Sequence, residues 1–277
     1  MSHIVMAEAA ALPGAADRLR AEIATLARAV RLEAGNERFD VYARPDRPGH
    51  WLMIERYRDK AAFERHLAMP HTKAFNAALA ELAEGGASSV ADLSASMASD
   101  AAAADVRGID HVGITVPDIE AATAFFAAAF GARTLYDVQP AGAPPMAGEE
   151  TERQLGLPAR AQIVHMRLLR IGGSADIELF EVKGAAQAPA AGIVDLGLQH
   201  LAIHTDAIDA AAARFTEAGG TLLSDPHPLA NQEDGPGNRG VYGRAPWGML
   251  IELIQLPAGV SYPDDAILPR WKPLPHD

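Results

Sequence analysis

The sequence predicts an α+β protein of two domains. A ferredoxin-like βαββαβ sandwich over residues 1–97 is followed by a linker at 98–107 and a pair of βαβββ units over 108–257. Three observations carry this expectation. In the first 97 residues, runs that alternate as strands are separated by runs with apolar residues at helical spacing. A stretch rich in Ser, Ala and Asp, without periodicity, comes next. One pattern then occurs twice. Gly108-Ile109-Asp110-His111-Val112-Gly113-Ile114-Thr115 is echoed by Leu198-Gln199-His200-Leu201-Ala202-Ile203-His204, and each copy is completed by a strand reading Ile-Glu-Leu, at Ile177–Leu179 and Ile251–Leu253. The copies span 108–183 and 198–257, with a tail at 258–277. A repeat that sets a His and a Glu twice at matching points implies one metal site shared between the copies.

Composition narrows the classes of function. The chain of 277 residues is long enough for two cores, and its formal charge of −12 argues against nucleic acid or anionic membrane as a partner. With no cysteine, any metal must be held by nitrogen and oxygen, and there is neither a disulfide framework nor a thiol nucleophile. The start, Met1–Glu8, lacks a basic stretch followed by a long apolar run, and no later segment is apolar for long enough to span a bilayer. A soluble, cytoplasmic protein acting on a small molecule is expected.

In the first domain, His3–Ala9 reads as a strand. Leu19, Ile23, Leu26 and Val30 line one face of a helix over Ala15–Glu33, which Ala34-Gly35-Asn36 stops. Phe39–Ala43 and Trp51–Tyr57 are strands of a hairpin around Pro45-Asp46-Arg47-Pro48-Gly49, with Trp51 a core residue. Asp59 is the N-cap of a helix that breaks at Met69-Pro70, and Phe75, Leu79 and Leu82 mark a second one closed by Glu84-Gly85-Gly86. Ser88–Met97 is the closing strand. His66 and His71 flank the helix break, and a solvated or packed histidine is the favoured reading of each over a pocket role.

Glu55-Arg56-Tyr57-Arg58-Asp59, Phe63-Glu64-Arg65-His66-Leu67 and Pro70-His71-Thr72-Lys73-Ala74-Phe75 resemble the antibiotic biosynthesis monooxygenase family, over about the first 95 residues. The resemblance implies a dimer formed through the sheets. Some members oxidise quinol-like substrates without a cofactor and others have no oxygenase activity, so fold is implied more firmly than reaction.

In the second domain, alternation puts Val112, Ile114 and Val116 on one face of their strand and His111, Gly113 and Thr115 on the other. Leu201 and Ile203 likewise oppose His200, Ala202 and His204, while Glu178 and Glu252 each stand between two apolar neighbours. Helices begin at Asp118 and Asp206, carrying Ile119, Ala122, Phe125 and Phe126 in one copy and Ile208, Ala211, Ala212 and Phe215 in the other. The ionisable groups are therefore expected on the concave face of a curved sheet. Glu178 depends on register, because a slip of one residue would favour Glu181.

Asp110–Asp118, His200–Ile203 and Ala245–Leu253 resemble the vicinal oxygen chelate superfamily, which includes glyoxalase I, methylmalonyl-CoA epimerase, extradiol dioxygenases and bleomycin-resistance proteins. By position, His111, Glu178, His200 and Glu252 fall on that superfamily's four metal positions. The complete set implies chemistry rather than binding alone. Two imidazoles and two carboxylates suit a single divalent ion with positions left for water or substrate, and Zn, Ni, Co, Mn and Fe(II) are all compatible.

Gln139–Ala159 interrupts the first copy and is a lid or a passive surface loop. His165 and Arg167 on one strand, and Tyr242 and Arg244 on another, are candidate substrate-binding residues, each with a surface role as the alternative. The leading expectation is a metal-dependent lyase or isomerase. In it the ion stabilises an enediolate, and Glu252 first, Glu178 second, moves a proton. The alternatives are an oxygenase, either extradiol at the second domain or cofactor-free at the first, and a protein that sequesters a natural product.

Overall fold

A computed structural model gives the architecture and describes residues 2–94, 106, 108–264, 266 and 270–273. It divides the chain into two compact units, 1–104 and 105–277. Their hydrophobic clusters share no residue, one drawing on positions 7–83 and the other on 112–253. Among the described residues, no helix is long and apolar enough to cross a membrane.

The first unit runs β1 (His3–Ala10), α1 (Ala16–Val30), β2 (Asn36–Ala43), β3 (His50–Tyr57), α2 (Lys60–Ala68), α3 (Pro70–Leu82) and β4 (Ser89–Leu93). The strands form one antiparallel sheet in the order β2-β3-β1-β4, as the βαββαβ order requires. Leu19, Ile23, Leu26 and Val30 are the buried stripe of α1 and pack with Phe39, Trp51, Met53, Phe75 and Leu79. Asp59 caps α2 by accepting from the Ala62 amide at 2.7 Å. Met69, forced into extended backbone ahead of Pro70, separates α2 from α3. The closing strand is shorter than expected, and the last part of the expected Ser88–Met97 segment lies outside the described residues. So does the expected linker, Val106 excepted.

The second unit contains two sheets. The first repeat supplies β5 (His111–Thr115), α4 (Ile119–Phe130), β6 (Arg133–Gln139), a short α5 (Glu149–Leu155), β7 (Gln162–Arg170) and β8 (Asp176–Lys183), ordered β5-β8-β7-β6. The second supplies β9 (His200–His204), α6 (Ile208–Glu217), β10 (Thr221–Leu222), β11 (His227–Pro228), β12 (Arg239–Arg244) and β13 (Leu250–Gln255), ordered β10-β12-β13-β9. In both, the histidine strand lies parallel to the glutamate strand. Ile114, Ile177 and Leu179 from one sheet and Ile251 and Leu253 from the other enter a common core with Phe125, Phe126 and Phe215 of the two helices. The interruption expected at Gln139–Ala159 holds α5 rather than bare loop.

The repeat extends to the helix starts. Glu181 accepts from the Ile119 amide at 3.3 Å, and Gln255, at the matching place three residues after its glutamate, accepts from the Ile208 amide at 2.7 Å. Three residues along a strand reverses the face. Glu181 on the helix side therefore fixes Glu178 on the opposite side. Asp118 caps α4 as expected, at 2.9 Å from the Ala121 amide. Asp206 has no such role: α6 starts two residues later, and Gln255 and Thr205 supply its N-terminal acceptors.

Candidate active site

Four side chains project from the faces turned away from the helices, in two pairs. His111 Nε2 lies 3.3 Å from Glu178 Oε2, and His200 Nε2 lies 3.6 Å from Glu252 Oε2. In each copy the residue before the histidine orients the ring. Asp110 Oδ2 is 2.8 Å from His111 Nδ1, and Gln199 Oε1 bonds to His200 Nδ1. An acceptor on Nδ1 places the proton there and turns the Nε2 lone pair toward the carboxylate. Two acceptors that face one another need a proton or a cation between them. That orientation, together with the nitrogen and oxygen donor set, fits a divalent metal.

The local charges differ between the pairs. The Asp110 hydrogen bond, with the charge of Glu178, pushes the His111 imidazole up. Burial pushes the Glu252 carboxyl up, against the opposing effects of His200 and the Tyr242 phenol. Tyr242 sits opposite Glu252 in the β12–β13 ladder, and its ring meets the His200 ring edge-on with centroids 5.4 Å apart. Burial and the Glu252 charge push the Tyr242 phenol up. A cavity of about 200 Å³ beside His200 is lined by Gly113, Thr115, Trp247 and Met249. Gly113 has a packing reason to be small, because a Cβ there would meet the Phe180 ring at 3.3 Å.

The two pairs stand on separate sheets. Among the described residues they do not gather into a group of three or more ligand atoms within 4.8 Å. An ion held by all four would draw the pairs together.

The other candidates divide. Tyr242 stands beside His200 and opposite Glu252. Arg244 lies on the same face, but its guanidinium donates to the Gly248 carbonyl at 2.7 Å. His165 and Arg167 do not enter the site, which corrects the expectation. The β7–β8 register sets Leu168 opposite Glu178 and Arg167 opposite the core residue Leu179, so Arg167 belongs to the helix face. There it donates to Asp137 at 2.6 Å and to Glu120 on α4 at 2.9 Å. His165 is buried, with Nε2 at 3.3 Å from Asp137 but not aligned for a hydrogen bond. Alternation alone left the phase of β7 open, and the irregularity between Ile163 and His165 helps set it. Asp110 and Gln199 were not singled out in the sequence, although both immediately precede the repeated histidines.

Comparison with known proteins finds two family models on separate stretches of the chain. The family model described as antibiotic biosynthesis monooxygenase matches residues 2–78. The model described as glyoxalase/bleomycin resistance protein/dioxygenase superfamily matches residues 110–235, a span that stops short of Glu252. A 2-epi-5-epi-valiolone epimerase from Actinomyces sp is 37% identical over 172 residues, covering 60% of this chain and 88% of that protein. Among solved structures, a glyoxalase family protein from Bacillus cereus is 22% identical with a TM-score of 0.44, covering 56% of this chain and 98% of that one. Rv0793 from Mycobacterium tuberculosis is 27% identical with a TM-score of 0.34, covering 36% of this chain and 100% of that one.

Proposed function

For this chain, which belongs to the glyoxalase/bleomycin resistance protein/dioxygenase superfamily through its second unit and carries an antibiotic biosynthesis monooxygenase domain in its first, we propose an isomerase activity: epimerisation at a carbon beside a carbonyl. The observation that carries the reading is Glu252, a half-buried carboxylate with His200 and Tyr242 against it and a second carboxylate, Glu178, at the matching place in the other repeat. The likeness to an epimerase supports the same class, and a small hydroxylated ketone of the valiolone type is the substrate proposed.

His111, Glu178, His200 and Glu252 would hold the divalent ion. When bound, the ion supplies Lewis acidity to substrate oxygens and makes the neighbouring C–H more acidic. Glu252 takes the proton from that carbon, leaving the electron pair delocalised onto the carbonyl oxygen. Glu178, from the other repeat, is the group available to return a proton to the opposite face. Tyr242 orients Glu252, and Asp110 and Gln199 hold the two imidazoles in the tautomer that presents Nε2.

The test is exchange in deuterated solvent. Metal-loaded protein is incubated with hydroxylated cyclic ketones, and loss of the proton beside the carbonyl is followed by NMR. Wild type exchanges the proton and interconverts the epimers, while Glu252→Gln, still binding some metal through His111, Glu178 and His200, loses both by about 100-fold or more. Stoichiometric oxygen consumption on catechol-like compounds, with no exchange on any ketone, would overturn the proposal in favour of an oxygenase.

A further inference from the structure

The first unit holds a second cluster of metal-binding character, far from the repeat in sequence. Glu33 follows α1, His66 lies in the last turn of α2, and His71 is the second residue of α3. Their ligand atoms lie within 4.8 Å of one another, the one such group of three or more His, Asp or Glu among the described residues. Glu33 Oε1 is 2.9 Å from His66 Nδ1 and 2.6 Å from His71 Nε2. The Glu33 and His66 side chains are 7% and 5% exposed, whereas His71 at 28% leaves a route from solvent.

Glu55, also 7% exposed, faces the other ring nitrogen of His66 at 3.9 Å and accepts from the Tyr57 hydroxyl at 2.7 Å. Two buried carboxylates thus share two imidazoles, and among the described residues no Lys or Arg is paired with either. Buried charge is costly unless neutralised. A divalent ion would balance both carboxylates with the imidazoles neutral. Bound through Nδ1, His66 would carry its remaining proton on Nε2, on the side of Glu55 3.9 Å away. In a four-coordinate site with ligand distances of about 2.0–2.2 Å the ligand atoms stand roughly 3.3–3.6 Å apart, so the donor contacts of 2.6 and 2.9 Å would open by about 0.4–1.0 Å to admit an ion.

We propose that Glu33, His66 and His71 form a site for a zinc-like divalent ion that clamps the end of α1 to the α2–α3 junction. Three protein ligands leave one position for water on the His71 side. The proposal is independent of the second unit's reaction.

The experiment uses the full chain with His111→Ala and His200→Ala, so that the second unit's histidines are absent. After chelation and dialysis, Zn²⁺ is titrated by calorimetry, and Co²⁺ is titrated by its visible absorption. One equivalent should bind, with the absorption of a four-coordinate N/O site and a rise in melting temperature. Adding His71→Ala, the least buried ligand, should weaken binding by more than the roughly 10- to 100-fold that loss of an outer partner costs. Glu33→Gln, which keeps the shape and removes the charge, should do the same, with folding of both variants checked by circular dichroism. No saturable binding in the starting background, or binding unchanged by folded His71→Ala and Glu33→Gln, overturns the proposal. Failure of the epimerase reading leaves this result untouched, since the second-unit histidines are already removed.

Discussion

Arg167 shows how one side chain can be diverted from a site to a scaffold. Its side chain is 11% exposed and its guanidinium is divided between Asp137 and Glu120, with Thr123 as a further acceptor. Removing it as Arg167→Met leaves two carboxylates facing a vacated place, one of them largely solvated, and should cost about 1–3 kcal/mol. Substrate KM should stay unchanged in the protein that remains folded. A rise in KM without loss of stability would return Arg167 to the substrate. The pH dependence follows from Asp137, which hydrogen bonding to Arg167 holds below the usual carboxylate range. The lowered pKa makes this contribution fully present above pH of about 4 and lost as the pH falls through the folded value. Acid titration of the melting temperature should therefore be flatter in Arg167→Met than in wild type over that window.

At the scale of elements, the repeat was legible because two constraints coincide. Strand alternation sets the apolar residues toward the helices, and Ile-Glu-Leu occurs where the histidine strand needs a parallel neighbour. The placement of His111, Glu178, His200 and Glu252 on the faces away from the core follows from those residues alone. The phase of β7 was not legible, since apolar and polar residues alternate there with either face plausible and an irregularity intervenes. Nor was Glu33 beside His66 and His71, because spacing carries no information about a contact 33 and 38 residues apart. The caps at Glu181 and Gln255 give a prediction for the repeat itself. Glu181→Ala and Gln255→Ala should each cost about 1 kcal/mol by removing an acceptor from a helix N-terminus. Loss of activity with Glu181→Ala beyond its loss of stability, measured by chemical denaturation alongside exchange, would mean that Glu181 and not Glu178 serves the site.

For the whole molecule, the separation of the two hydrophobic clusters decides what each unit can do alone. The second cluster closes on itself, with α4, α6 and both sheets contributing and nothing drawn from the first 104 residues. A fragment from residue 108 onward should therefore melt cooperatively and keep the second unit's exchange activity. The first unit differs in having a sheet face away from its helices that carries Ile4, Met6, Leu52 and Ile54, all partly exposed. A contiguous apolar surface of this kind on a two-layer unit favours self-association. The full chain should then be a dimer by light scattering and the fragment a monomer. Ile54→Asp should convert the full chain to a monomer without lowering exchange per chain, because that residue belongs to the other core's unit. A fragment that is molten while the full chain melts sharply would show that the second unit needs the first to fold. A dimeric fragment would move the association surface to the second unit.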